Sequence, residues 1–374
     1  MPSDNISPAV SVLLAVHNGA RYVEQAIRSV MAQTLREIEI IVVDDASSDA
    51  SPDILARLAA EDDRIRVLRL ETNLRLAGAL NHGLDHARAP YVARMDDDDW
   101  AHPNRLEVQK RFLDTHPEID LAGASTRRMD KDGHVFRSRV RALDSFAIRW
   151  QARFLLNVAH PTFMFRTHMP DGQPVRYDAA FPLSQDHEMI CRLLLAGGQV
   201  VCLPDILLDF RFHERSVSQS RFKEQVAISK RICRNFQERE LPDDIVAGLD
   251  PLRQLYFTAA RATPELTAAA FAGARAMLDH DISRAPDRAA WLRRQTAQLL
   301  EWALGRGGLS RRAVLASFLR HEPGLLPALG LRALETKGAL PWLSTTPEVW
   351  QTAASPSPRS PATGSVRAKD GETR

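Results

Sequence analysis

The sequence predicts an α/β fold, a mostly parallel sheet flanked by helices, followed by a helical C-terminal region. Three observations carry this. Within residues 1–115, four short apolar runs alternate with segments of helical periodicity. Two of those runs end in acids, Asp44-Asp45 and Asp96 to Asp99. Beyond about residue 220 the composition becomes Ala/Leu/Arg-rich and helical, including 264–279 and 289–304.

Residues 10–15 (Val-Ser-Val-Leu-Leu-Ala) are the first expected strand, before the turn signal Asn18-Gly19. From 20 to 33, Val23, Ile27, Val30 and Met31 recur at helical spacing. Residues 38–43 are nearly all apolar, as a parallel strand covered on both faces requires. A second helix is expected over 49–60, with Pro52 in its first turn. A strand at 65–70, a helix at 77–87 and a strand at 91–95 follow, and Pro103 opens a helix to about 115. Right-handed crossovers between parallel strands put a site at the strands' carboxyl ends, the edge where both acidic runs fall. Residues 119–213 are mixed, with a turn at Asp130-Lys131-Asp132-Gly133 and a helix at 185–196.

With 374 residues, two domains or one domain with a large appendage are expected. A net charge of +2 gives no global reason to expect nucleic acid. Cys191, Cys202 and Cys233 form no CxxC pair, which argues against a disulfide framework or zinc site and fits a reducing compartment. Residues 1–5 lack a basic leader, and no apolar run approaches the roughly 20 residues that span a bilayer. A cytoplasmic protein without a transmembrane segment is expected. The end, from 353, is rich in Ser, Pro, Gly and charge and should be disordered.

Four adjacent carboxylates repel one another, by roughly 4 kcal/mol per pair at 4 Å and an effective dielectric near 20. They are comfortable when fully solvated or against a divalent cation, and Mg²⁺ typically takes one or two carboxylates plus substrate phosphates. No GxGxxG follows the first strand and no GxxxxGK[ST] occurs, so the commonest dinucleotide and P-loop readings lose support. A nucleotide diphosphate held through a metal suits acids at strand ends.

The segments 10–19, 29–34 (Ser-Val-Met-Ala-Gln-Thr), 40–48 (Ile-Ile-Val-Val-Asp-Asp-Ala-Ser-Ser) and 93–106 resemble family 2 glycosyltransferases over about residues 8–220. Those are inverting, nucleotide-sugar-dependent enzymes of the GT-A fold. The resemblance implies a GT-A-type, Rossmann-like catalytic domain over 1–220, with a nucleotide-sugar-binding half (1–115) and an acceptor half (116–220). A helical region (221–350) and a disordered tail (351–374) would follow.

The resemblance also implies site residues. Ala15 and His17 fall where the first strand's end meets the nucleoside, and Asp45 matches the carboxylate that accepts from a pyrimidine imide; Asp44 braces the loop. Residues 73–81 resemble Asn-x-Gly-x-x-x-Ala-x-Asn, with Arg75 where Gly is usual and Asn81 closing the segment. Arg75 adds a cation that could meet a phosphate. The run Met95 to Asp99 followed by Pro103-Asn104-Arg105-Leu106 is similar to Met-Asp-Ala-Asp-Asp before Pro-x-Arg-Leu. It assigns Asp98 to the metal, Mg²⁺ or Mn²⁺, and Asp96 to the sugar or its ribose, with Asp97 in reserve and Asp99 in the turn. Residues two apart on a strand point the same way, which supports the Asp96/Asp98 pairing.

Ser184-Gln185-Asp186-His187-Glu188 resembles the helix start that supplies the general base, with Gln185 in place of Glu, Asp186 as the base and Glu188 as alternative. Residues 157–166 resemble a strand behind the acceptor site, and Phe210-Arg211-Phe212-His213 with Ser216 and Ser218 resembles the stretch closing the domain, where His213 could reach the metal or diphosphate. A Gln-x-x-Arg-Trp motif is absent, which favours single-sugar transfer to a glycan or lipid-linked acceptor over polymerisation. A sugar-phosphate nucleotidyltransferase and a catalytically impaired nucleotide-sugar-binding protein remain alternatives. Arg293-Arg294 and Arg311-Arg312 beside apolar faces leave open a peripheral contact at the inner membrane face, a homodimer surface or an ordinary helical subdomain.

Overall fold

The computed structural model describes residues 7–156, 158–213 and 221–329. Four parallel strands build its first half: β1 (Val10–Val16), β2 (Ile38–Asp44), β3 (Ile65–Arg69) and β4 (Tyr91–Met95), in the spatial order β3-β2-β1-β4. Alternation along β1 sends Val10, Val12, Leu14 and Val16 to one face and Leu13 to the other. The first face is covered by α1 (Val23–Met31), α2 (Ser51–Glu61) and α4 (Arg105–Thr115), and the second by α3 (Arg75–Leu84). Both faces of β2 are therefore buried, which is why its sequence is apolar almost throughout.

Several boundaries differ from the sequence expectation by two or three residues: the second helix starts at Ser51, the third ends at Leu84 and the fourth starts at Arg105, after Pro103. The first helix starts at Val23 rather than 20, because the Gly19 carbonyl accepts from the N–H groups of Tyr22 and Val23 and closes a turn first. The third helix begins at Arg75, two residues early, on a residue with φ +61°.

The sheet continues β4-β8-β6-β9-β5 with β5 (Trp100–Ala101), β6 (Leu121–Met129), β8 (Met164–Arg166) and β9 (Val200–Arg211), while β7 (Val135–Arg139) pairs with β6. Here parallel β6–β9 pairing stands among antiparallel pairs. The register of β6 against β9 shifts around Ser125, beside Leu203 and Pro204, since proline has no N–H for a ladder bond. Residues 160–162 form a 3-10 turn ahead of β8, so within 158–166 of the expected strand only Met164–Arg166 pair in the sheet, and residue 157 lies outside the described residues. Helices α5 (Ser145–Ala152) and α6 (Gln185–Leu195) pack with α3 on the second face.

Beyond 220 come α7 (Phe222–Glu240), α8 (Asp243–Gly248), α9 (Asp250–Thr258), α10 (Pro264–Arg284), α11 (Ala289–Arg306) and α12 (Arg311–His321). They share an apolar core that Trp150 and Phe154, at the end of α5, enter from the sheet domain. At the crossing of α8 and α10 a Cβ on Gly273 would lie 2.0 Å from the Gly248 carbonyl oxygen, so only glycine fits there. Among the described residues no helix is long and apolar enough to cross a membrane. The expected tail, 351–374, and the last part of the expected helical region lie outside the described residues, as do Ser216 and Ser218.

Candidate active site

From β1 the chain winds outward through β2 and β3, then returns to place β4 on the other side of β1. The loops after β1, β2 and β4 therefore line one crevice at the strands' carboxyl ends, with Asp97 of the last beside Gly19 of the first. Asp44 ends β2, and its Oδ1 accepts from the Ser47 N–H at 3.0 Å, bracing the loop as expected. Asp45 follows, buried, with Oδ1 accepting from the Leu74 N–H at 2.6 Å. The His17 ring is fixed beside it by a 2.7 Å contact from Nδ1 to the Asp45 carbonyl. Ala15 is half-buried near the end of β1, opposite Val43.

Arg75 occupies the left-handed conformation that glycine adopts without penalty, at a cost of about 1–2 kcal/mol for an L-residue. Its exposed guanidinium has no hydrogen-bond or ion-pair partner among the described residues, and its N–H is held by Asn73 Oδ1 at 2.9 Å. Asn81 is used differently. Its amide bonds both the carbonyl and the N–H of Tyr177, at 2.7 and 2.8 Å, and so holds the segment that carries Tyr177.

After β4 the four aspartates diverge. Asp96, Asp98 and Asp99 each present a carboxylate oxygen, and all three oxygens lie within 4.8 Å of one another. Asp96 is ion-paired to Arg94, a fully buried side chain whose Nε and Nη1 have no partner among the described residues. Asp98 Oδ2 meets His213 Nε2 at 2.8 Å. Asp99 Oδ1 accepts from the Arg211 N–H at 2.8 Å, while its buried Oδ2 has no partner among the described residues. Asp97 turns to the loop after β1, where a Cβ on Gly19 would lie 2.2 Å from its Oδ2. Arg211 braces the turn from behind, donating from Nε to the Asp98 carbonyl at 2.8 Å with its guanidinium 4.5 Å from the centre of the Tyr22 ring.

Burial, followed by the charges of Asp98 and Asp96, pushes the carboxyls of Asp97 and Asp99 well above the carboxylate range. Burial also raises Asp96, although Arg94 offsets part of this. Even with Arg94 on Asp96 the cluster is short of positive charge, and an all-oxygen donor set with a buried Oδ2 unpartnered among the described residues fits a hard divalent cation.

Asp186 lies in the first turn of α6, after Ser184 at φ +56°. Burial raises its carboxyl; the His187 N–H and then Arg94 pull it down, and Asp96 pushes it up. Glu188 is instead committed to Arg192 at 3.0 Å. Beside them the buried Tyr177 hydroxyl meets His160 Nε2 at 2.9 Å. Burial and then the Arg94 charge hold His160 well below the usual imidazole range, so the ring is neutral. Arg94, Asp96, Tyr177 and Asp186 therefore share one electrostatic neighbourhood. Sequence reasoning gave no role to Arg94, Tyr177, His160 or Arg211. Arg94 had a legible signal, a charge inside an apolar strand; Tyr177 had none.

The model of glycosyl transferase family 2 matches residues 11–169. AmsE of Erwinia amylovora, an amylovoran biosynthesis glycosyltransferase, is 30% identical over 213 residues, covering 56% of this chain and 79% of AmsE. The chain belongs to glycosyltransferase family 2. Two further relatives are matched over less of their length. EpsE of Bacillus subtilis, named a putative glycosyltransferase, is 39% identical over 130 residues, which is 34% of this chain and 47% of EpsE. The succinoglycan biosynthesis protein ExoO of Rhizobium meliloti is 27% identical over 230 residues, 58% of this chain and 65% of ExoO. Among solved structures, S. aureus TarS 1-349 in complex with UDP-GlcNAc aligns with a TM-score of 0.54 at 19% identity, over 83% of this chain and 91% of that one, a likeness of fold. Family 2 membership sets aside the nucleotidyltransferase alternative.

Proposed function

We propose that the chain is an inverting glycosyltransferase that moves one sugar from a UDP- or dTDP-linked donor to a hydroxyl of a glycan, lipid-linked saccharide or other cell-surface precursor, on the cytoplasmic side. The observation that carries it is the convergence of Asp96, Asp98 and Asp99 across the crevice from Asp45, with Asp186 in the same electrostatic field. The similarity to the amylovoran and succinoglycan biosynthesis proteins AmsE and ExoO, and in fold to TarS in complex with UDP-GlcNAc, supports polysaccharide chemistry and a nucleotide-sugar donor. In this reading residues 1–115 bind donor and 116–220 face the acceptor.

Asp45 and His17 receive the base, Ala15 leaves room for the nucleoside, and the exposed Arg75 meets a phosphate. Asp96, oriented by Arg94, takes the sugar or ribose, and Asp97 supports the loop after β1. Asp98 and Asp99, with His213 behind Asp98, would hold Mg²⁺ or Mn²⁺, which when bound neutralises charge on the departing diphosphate. Asp186 accepts the proton from the attacking acceptor hydroxyl, and its raised pKa makes it a better base than an exposed carboxylate. Asn81 acts through Tyr177 rather than on the donor.

A thermal-shift panel of nucleotide sugars with and without Mn²⁺ tests the donor half of this reading. A ligand that binds the native state raises its apparent stability. Uridine or thymidine diphosphate sugars should stabilise only with metal present. Equal stabilisation by purine nucleotide sugars, or none by any, would contradict it.

A further inference from the structure

The β6–β7 hairpin gathers charge of one sign. Its register sets Arg128 directly opposite Arg137, and strand alternation puts Arg139 on the same face as Arg137. Arg141 follows two residues on, buried beside them. Like charges opposite one another destabilise an antiparallel pair. Arg127, on the other face, has Asp209 at 2.7 Å, but Arg128, Arg137 and Arg139 have no carboxylate partner among the described residues. Burial, and then Arg141, Arg128 and Arg137, push Arg139 down to about 9.

Among the described residues, exposed large apolar side chains also gather at this hairpin. Of six large apolar side chains exposed among the described residues, Val135, Phe136 and Val140 lie on it, with Phe136 56% exposed. A fourth, Phe212, follows the end of β9, with the Arg128 guanidinium 5.4 Å from its ring centre. The turn at the hairpin tip reaches the crevice, since the Asp130 and Lys131 carbonyls accept from Arg211 and the Lys131 carbonyl accepts from Tyr22.

A second copy would set like charges against like, and a soluble polyanion would leave the apolar side chains uncovered. An anionic bilayer met edge-on complements both, phosphates to the guanidiniums on one face of the hairpin and the acyl boundary to Phe136 and Val140, which alternate to the other. We propose that the β6–β7 hairpin docks the protein on an anionic phospholipid surface, with Arg128, Arg137 and Arg139 against lipid phosphates and Phe136 and Val140 at the acyl boundary. This goes beyond the transferase reading and does not rest on it.

Flotation of the full chain with phosphatidylcholine vesicles, with and without phosphatidylglycerol, tests it. Binding should require phosphatidylglycerol and weaken with salt. The R137Q/R139Q variant should lose about tenfold or more in vesicle affinity. Phe136→Ser should also weaken binding, and both variants should melt as wild type does. The proposal is overturned if phosphatidylcholine alone binds as well, if both variants bind like wild type, or if the protein captures soluble polyphosphate but not vesicles.

Discussion

Asp281 in the helical region and Asp99 after β4 are both buried carboxylates, but their surroundings are opposite. Asp281 receives Arg153 Nη1 on both oxygens, at 2.9 and 2.7 Å, and the Trp150 indole N–H at 3.1 Å. Asp99 has one backbone donor on Oδ1 and none on Oδ2, with two further carboxylates within 4.8 Å. A buried charge that is neutralised and hydrogen-bonded holds a fold together; one left short of positive charge lowers stability and persists where a ligand supplies the difference. Asp281 docks the helical region onto Trp150 and Arg153 at the end of α5, whereas Asp99 in the crevice is left short of donors among the described residues.

Substitutions on either side break or sharpen that contrast. Asp98→Ala should lower metal-dependent turnover by about 100-fold or more while leaving the folded state intact, because in the proposed reading the side chain would hold the cation that neutralises the leaving diphosphate. Turnover assays over a metal titration check this, and an unchanged rate would place Asp98 with the structural aspartates. Asp281→Ala should act the other way, lowering stability by about 3–5 kcal/mol through an unpaired buried Arg153, with turnover per folded molecule preserved. Denaturant titration reads that loss.

A smaller effect is expected at Arg94. Its charge pulls the Asp186 carboxyl down, so Arg94→Met should raise that pKa. A general base works only when ionised, so the acid limb of kcat/KM should move to higher pH. A pH–rate profile with an unmoved acid limb would separate Arg94 from Asp186.

The same contrast explains what the sequence made legible. Strands β1 to β4 and the acids at their ends were readable because each parallel strand is an apolar run and each turn follows locally. Asp99 was read as supporting the turn; its approach to Asp96 and Asp98 and its bond from the Arg211 N–H, more than a hundred residues away, were not legible. Arg75 was visible as a departure from glycine, and the structure shows what it departs from, a left-handed backbone. Tyr177 and His160 meet only through tertiary folding, and β6 to β9 pair over long separations with a register shift that no local pattern records. The pairing of Asp281 with Arg153 spans two regions and was equally hidden.

The central claim is that the open carboxylates of the crevice work on substrate, and Asp186→Asn tests it most directly. Replacing a carboxylate by its isosteric amide keeps the shape and removes the base. With wild type and variant at matched donor and Mn²⁺ saturation, nucleoside diphosphate release to acceptor should fall by about 10²–10⁴-fold in the variant while thermal stabilisation by donor and metal is retained. Turnover of the variant equal to that of wild type would contradict the account.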